Sequence, residues 1–237
     1  MRKKNNLIFI IPVYNEEEVI EKVIENIFLN LKNFEFKILL INDGSKDKSL
    51  DKIKIIKEKF TEKVEYIDQE NIGHGPTVIK GYKYAIDNDY EYIFQIDSDN
   101  QFDILDFEKL WIYREKYDLI SGLRKKRKDT LLRKYLTKIV KIFIFILFFV
   151  KVKDSNCPFR LIKKDFLVKA LANLKSEVLI PNIFISIIAA KNKSIFFTEI
   201  THLERKTGKV SIVNIKLLLF CIKALFQIII FRFKFRL

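Results

Sequence analysis

Two carboxylates stand one residue apart at the end of an apolar run: Asp97 and Asp99, in the stretch FQIDSDNQFD at 94–103. A carboxylate leaving an apolar strand needs something positive or wet to face it. A divalent cation, an Arg or Lys partner, and plain solvation at a strand end all satisfy that demand. Acidic residues also open turns. If the partner is a metal, two hard oxygen donors suit Mg2+ or Mn2+. Other groups able to do chemistry end similar runs. Glu16 follows the apolar run 7–13, Asp43 follows 36–41, and NIGHG at 71–75 sets Gly73 and Gly75 around His74. The glycines admit close backbone approach or a turn with positive φ. His74 has no second His or Cys nearby, so it is read as a hydrogen-bonding group. Arginines at Arg124, Arg160 and Arg205 carry the fork geometry that matches phosphate oxygens.

The elements that must position these residues alternate. Residues 7–13 read as a first buried strand. Residues 17–31 place Val19, Ile20, Val23, Ile24, Ile27 and Leu31 at helical spacing. A strand at 36–41, a helix at 48–60, a strand at 64–67, a glycine-punctuated loop at 71–75, a helix at 76–86 with Pro76 at its start, and a strand at 92–96 follow. A further strand is read at 119–122. Repeated units of this length imply an α/β fold with a mostly parallel sheet and right-handed crossovers. In such sheets ligands sit beyond the carboxyl ends of the strands. Glu16, Asp43, Asp97 and Asp99 therefore fall on one edge.

The chain has 237 residues, enough for one large domain, and 44 Lys plus Arg against 30 Asp plus Glu, a net charge of +14. That excess points to an anionic partner: a phosphorylated ligand, an anionic membrane surface or nucleic acid. The Lys residues are dispersed, and no RNP-type, helix-turn-helix or zinc-finger pattern occurs, which argues against nucleic acid. Cys157 and Cys221 lie far apart, so neither a disulfide framework nor a zinc site is expected. The basic start and short apolar run at the N-terminus imitate a signal peptide, but the run meets Glu16, Glu17 and Glu18 directly.

IPVYNEEEVI, LLINDGSKDKS, ENIGHGPTVIKGYKYA and FQIDSDNQFD, in this order and spacing, resemble the inverting glycosyltransferases of family two with the GT-A fold. ISGLRKKR, DSNCPFRLIKK and ITHLERKTGKVSI resemble the downstream signature of the branch like dolichyl-phosphate-mannose synthase. The resemblance runs over about residues 6–212 and implies a GT-A, Rossmann-like catalytic domain at 1–211. It implies that Pro12, Tyr14, Glu16, Asp43, Gly73 and Gly75 line the pocket of a UDP- or GDP-linked sugar, with Asp43 accepting a hydrogen bond from the base. It implies that Asp97 and Asp99 hold Mg2+ or Mn2+ on the diphosphate, and that Arg205 and Arg124 serve the reaction. Arg160, Asp154, Glu177 and Lys209 are the candidates for the acceptor side.

The acceptor implied for this branch is polyprenyl phosphate, ionised at neutral pH and needing no protein base. A sugar hydroxyl, the acceptor of polysaccharide transferases, needs one, and Asp154 and Glu177 are the candidates. Asn156, Cys157 and Pro158 stand where the branch shows a Ser-Gly pair. Two apolar stretches bear on the choice. IFIFILFFV at 142–150 is nine residues long, against the roughly 20 that span a bilayer. Residues 212–237 form a separate amphipathic segment. In it Lys216, Lys223, Gln227 and Lys234 fall within about 40° on a helix, leaving a broad apolar face. The expected placement is cytoplasmic and peripheral, with that face in the inner leaflet beside 142–150, either as a single chain or as an oligomer.

Overall fold

The structure is a computed structural model describing residues 7–124, 131–204 and 215–234, with the side chains of 131–134 and 215–218 outside that description. Among the described residues, seven strands form one sheet: β1 (Leu7–Val13), β2 (Lys37–Asp43), β3 (Val64–Gln69), β4 (Tyr92–Gln95), β5 (Leu119–Arg124), β6 (Arg160–Lys163) and β7 (Ile195–Ile200). Their order is β3-β2-β1-β4-β6-β5-β7. All neighbouring pairs are parallel except the two that β6 makes, with β4 and with β5. The carboxyl ends of β1 to β5 and of β7 therefore share one edge, and the chain enters β6 from that same edge.

Helices cover both faces. α1 (Ile20–Asn30), α2 (Ser49–Lys59) and α4 (Phe107–Trp111) lie on one; α3 (His74–Asp87), α5 (Leu131–Phe148), α6 (Lys164–Leu171), α7 (Pro181–Lys191) and α8 (Ile215–Lys234) lie on the other. β1 is buried at every residue, which is why LIFIIPV reads as a continuous apolar run rather than an alternating one. On the first face Phe94 meets Phe107 and Phe159 edge-on, with ring centroids 4.9 and 4.8 Å away. On the second face Ile8, Ile10, Leu39 and Ile41 pack against α3 and α7. Gly81 lets α3 sit close, because a Cβ there would stand 2.3 Å from Ile10 Cγ2.

The expected strands and helices are present with shifted ends. β2 runs on to Asp43, so this carboxylate is the last strand residue rather than the first loop residue. α1 starts at Ile20 instead of residue 17, since the backbone at 15–17 is held by the neighbouring loop. The C-terminal segment does not stand apart from the catalytic domain. The expected boundary at 211/212 lies outside the described residues, but α8 beyond it joins the core through Ala224, Ile228 and Phe231. Phe231 lies 4.6 Å from Phe184 of α7, and Arg232 Nε donates to Leu147 O at 2.7 Å. Gln227, read as part of the polar stripe with Lys216, Lys223 and Lys234, accepts from Leu179 N–H at 3.0 Å. In the 142–150 stretch Ile144 and Phe148 are buried, whereas Ile142, Phe145, Ile146 and Phe149 are exposed.

Candidate active site

The loops after β1 and β2 are fastened to each other. Asn15, at φ 56°, donates its N–H to Ser45 Oγ at 3.0 Å and accepts from Lys46 N–H at 2.7 Å. Glu16 N–H donates to Ser49 Oγ at 2.7 Å, and Lys48 N–H donates to Glu17 Oε2 at 2.8 Å. This reciprocal pattern satisfies backbone groups that the strands leave at their ends. It sets Tyr14 and Glu16, the latter buried, at the rim between β1 and β2. Pro12 lies one residue before the end of β1, beyond its pairing with β4, and its carbonyl accepts from Ser98 Oγ at 2.9 Å.

Asp43 ties the next loop down. Its Oδ1 accepts from Gln69 Nε2 and from Ile72 N–H, both at 2.9 Å, and its Oδ2 accepts from Gly73 N–H at 3.0 Å. Asn71 Nδ2 donates to the Asp43 carbonyl at 2.8 Å. Gly73 takes φ 92°, a left-handed value suited to glycine, and caps α3. Gly75 is needed for a different reason: a Cβ there would meet Val178 O at 2.3 Å, so the backbone before α7 presses on the start of α3. His74, the first residue of α3, places Nε2 at 3.9 Å from Asp97 Oδ1. Asp43, Gly73, His74 and Asp97 thus form a chain of neighbours across the ends of β2, α3 and β4. The sequence offered no sign that His74 faces Asp97, because their separation in the chain says nothing of it.

After Asp97 the chain turns sharply. Gln101 N–H donates to Asp99 Oδ1 at 3.2 Å, and Asn100 takes φ 56°. Leu203 N–H donates to Gln101 O at 2.8 Å, and Phe102 bridges to His202. The segment that leads to Arg205 is therefore docked on the turn that carries Asp99. Arg205 and Lys209 themselves lie outside the described residues, as do Lys125, Lys126, Arg127 and Lys128.

Three acceptor-side expectations meet a different geometry. Arg124 and Asp154 face each other as a two-pronged pair, Nε to Oδ2 at 2.8 Å and Nη2 to Oδ1 at 2.9 Å, with both side chains nearly enclosed. Arg160 is fully buried and directs its guanidinium into the protein, so it offers nothing to a ligand at the surface. Glu177 is exposed on the connection before α7, and the Ser176 hydroxyl that donates to it holds its carboxyl below the usual range. Cys157 beside this edge is a neutral thiol, since burial pushes its pKa up to about 11.

The donor set fits a divalent cation on one count in particular: Asp97 Oδ1 is buried and has no hydrogen-bond partner among the described residues. Among the described residues no group of three or more His, Cys, Asp and Glu forms a cage for an ion. A cation held here by Asp97 and Asp99 would draw its remaining ligands from water and from a bound phosphate, as Mg2+ commonly does.

The sequence profile of glycosyl transferase family 2 matches residues 8–171. The chain belongs to that family. Among relatives of this family 2 chain, an uncharacterized protein of Methanocaldococcus jannaschii is 33% identical over 176 residues, covering 68% of this chain and 73% of that one. The undecaprenyl-phosphate 4-deoxy-4-formamido-L-arabinose transferase of Proteus mirabilis is 26% identical over 212 residues, 87% of this chain. A dolichyl-phosphate beta-glucosyltransferase of Trichomonas vaginalis is 27% identical over 176 residues, 66% of this chain. The family 2 chain spans only 62% and 53% of the lengths of these last two. In fold it is similar to the glucosyl-3-phosphoglycerate synthase of Mycobacterium tuberculosis, solved with Mn2+, UDP and glucosyl-3-phosphoglycerate. That likeness has a TM-score of 0.69 at 13% identity and covers 96% of this chain and 80% of that one.

Proposed function

We propose that this family 2 glycosyltransferase moves a sugar, with inversion, from a nucleotide-diphosphate sugar to polyprenyl phosphate at a membrane surface. The observation that carries the donor half is the run of contacts from Asp43 through Gly73 and His74 to Asp97, which builds one cradle from loops at the sheet edge. In this reading the nucleotide lies over β1, β2 and β3, with Pro12, Tyr14, Glu16 and Asp43 around it. Gly73 and Gly75 allow backbone near it, and Asp97 and Asp99 hold Mg2+ or Mn2+ at the diphosphate. A bound divalent ion supplies positive charge to the diphosphate as it leaves. The acceptor then lies over β5 and β6, near Arg124, with Arg205 and Lys209 as further basic groups.

The reaction breaks the bond from the anomeric carbon to the diphosphate and forms one to the attacking oxygen on the opposite face. An ionised phosphate oxygen attacks without losing a proton. That suits the geometry of the two carboxylates considered as bases. Asp154 is spent on Arg124, and Glu177 is exposed on the connection before α7, where the Ser176 hydroxyl donates to it and makes it a weaker base. Relatives named for undecaprenyl phosphate and dolichyl phosphate support the same acceptor class.

The deciding experiment is a donor screen: purified protein, Mn2+ or Mg2+, a panel of UDP- and GDP-sugars, and membrane lipids, scoring nucleotide release and the glycosylated fraction. Polyprenyl-phosphate sugar is the expected product. Asp99→Asn, an isosteric change, should lower turnover by about 100-fold or more with the fold retained, and EDTA should do the same. Full activity in either would remove the metal assignment. A glycosidic product on a sugar hydroxyl would replace the acceptor assignment.

A further inference from the structure

Among the described residues Arg160 is the largest fully buried side chain, and no carboxylate hydrogen-bonds to its guanidinium. All five of its N–H bonds are used. Nε and Nη2 donate to Cys157 O at 2.8 and 2.6 Å, and Nη2 also donates to Ser155 O at 3.3 Å. Nη1 donates to Asn182 O at 3.0 Å and Ser186 Oγ at 3.5 Å. The one proton of the Ser186 hydroxyl has two carbonyls in reach, Asn182 O at 2.7 Å and Ser155 O at 3.1 Å. The fork therefore joins two stretches of chain: the strand approach at 154–159 and the first turns of α7. Burial lowers its pKa, yet an arginine stays charged, and the price of desolvation is met by oriented carbonyls.

Its neighbours extend the knot toward the site. Gln95 and Ser121 are the direct cross-strand partners of Arg160 on β4 and β5. Tyr82 of α3 donates to Gln95 Oε1 at 2.6 Å, Asn182 Oδ1 stands 3.3 Å from the same hydroxyl, and all of these groups are buried. The segment fixed by Arg160 begins with Asp154, whose carboxylate grips Arg124 at the end of β5. Among the described residues no hydrogen bond runs from Arg160 to Asp43, Gly73 or the loop after Asp97, and its link to that side is indirect, through the packing of Val178 and Leu179 on Gly75 and of Tyr82 on Gln95.

We propose that Arg160 is a positioning residue for the acceptor half of the site: it sets the backbone of 154–158 so that the Asp154 and Arg124 pair stands correctly at the sheet edge. This rests on the reading that the acceptor lies over β5 and β6. An ammonium at this place keeps the charge but cannot join both chain segments in a plane. Arg160→Lys in the full chain is therefore the informative change.

Hydrogen exchange should accelerate by about tenfold or more at 154–159 and 181–186, while 69–75 and 97–103 keep wild-type protection. UDP affinity with Mn2+ should stay within about twofold. With the donor found by the screen and a short-chain polyprenyl phosphate, kcat/KM for acceptor should fall by up to about 100-fold through KM. If Arg160→Lys does not fold, Ser186→Ala, which removes the acceptor facing Nη1 and the hydroxyl set between Ser155 O and Asn182 O, should move the same exchange rates and the same KM by a smaller factor. Loss of UDP affinity equal to the rise in acceptor KM would overturn the proposal, as would an unchanged KM in correctly folded Arg160→Lys or Ser186→Ala. Transfer to a sugar hydroxyl would displace the acceptor assignment alone, and a selective rise in KM for that acceptor would still support the role of Arg160.

Discussion

Asp43 builds a loop with both carboxylate oxygens, and the proposed function gives the same side chain a nucleotide to meet. Both of its oxygens accept from N–H groups, so Asp43→Asn must turn an amide NH2 toward a donor: Gly73 N–H on one side, or Ile72 N–H and Gln69 Nε2 on the other. Hydrogen bonds to a charged group are worth about 1.5–3 kcal/mol each, and leaving donors unsatisfied costs a similar amount. Titration of UDP in the presence of Mn2+ should show affinity weakened by about tenfold or more. Wild-type affinity in the variant would leave Asp43 as a turn-forming residue alone. The type and place of this residue were legible in INDGSKD. Its grip on Ile72 and Gly73 was not, because it depends on β2 and β3 lying in register from Ile38 to Asp43.

At the scale of elements, two glycines of α3 make separable predictions. Gly81→Ala drives a methyl to 2.3 Å from Ile10 Cγ2 and 2.8 Å from Ile41 Cδ1, a pure packing conflict between helix and sheet. Overpacking of this kind costs about 1–3 kcal/mol, or a fall in Tm of roughly 2–4 °C per kcal/mol for a chain of this size. Gly75→Ala meets the carbonyls of Val178 and Leu179, which cannot rotate away, so the start of α3 must shift. Calorimetry should show both variants destabilised, and UDP titration should find only Gly75→Ala weakened in binding. Equal UDP affinity in the two would detach the α3 terminus from the donor site. The strands around this helix were legible as apolar runs between turn residues. β6 and β7 were not: RLIK is four residues long, and IFFTEI is an edge strand with mixed exposure. α7 carries no helical stripe, because Pro181 to Ala189 are buried all round and a fully buried helix loses its amphipathic period. Arg160 was expected on the acceptor side, facing phosphate, and the antiparallel strand it opens sends it into the core instead.

For the whole molecule, the question is what covers the outer faces of α5 and α8. Phe145, Ile146 and Phe149 on one side and Ile222, Phe226 and Phe233 on the other are exposed, Phe233 at 82%. Apolar patches of that kind mark interaction surfaces. Exposed Lys138, Lys141, Lys151, Lys153, Lys223 and Lys234 lie on the same two helices and on the connection from α5 to β6. Among the described residues no helix is long and apolar enough to cross a membrane. Apolar side chains rimmed by lysines match the interface of an anionic bilayer, where each basic residue near the surface adds about 1 kcal/mol. That placement would also bring the site to a lipid-borne phosphate. Removing α8 is a poor test, because Ala224, Ile228 and Phe231 belong to the core and their loss would uncover Phe148 and Phe184. Phe226→Glu with Phe233→Glu changes only the outer face. Flotation with vesicles containing anionic phospholipid should show the intact chain bound at low salt, weaker binding as salt rises, and at least about a tenfold loss in the double variant. UDP affinity and Tm should stay near wild type, because neither side chain supports the core or the nucleotide cradle. Binding to vesicles that survives both substitutions, or an intact chain that never floats, would assign this face to a partner other than lipid.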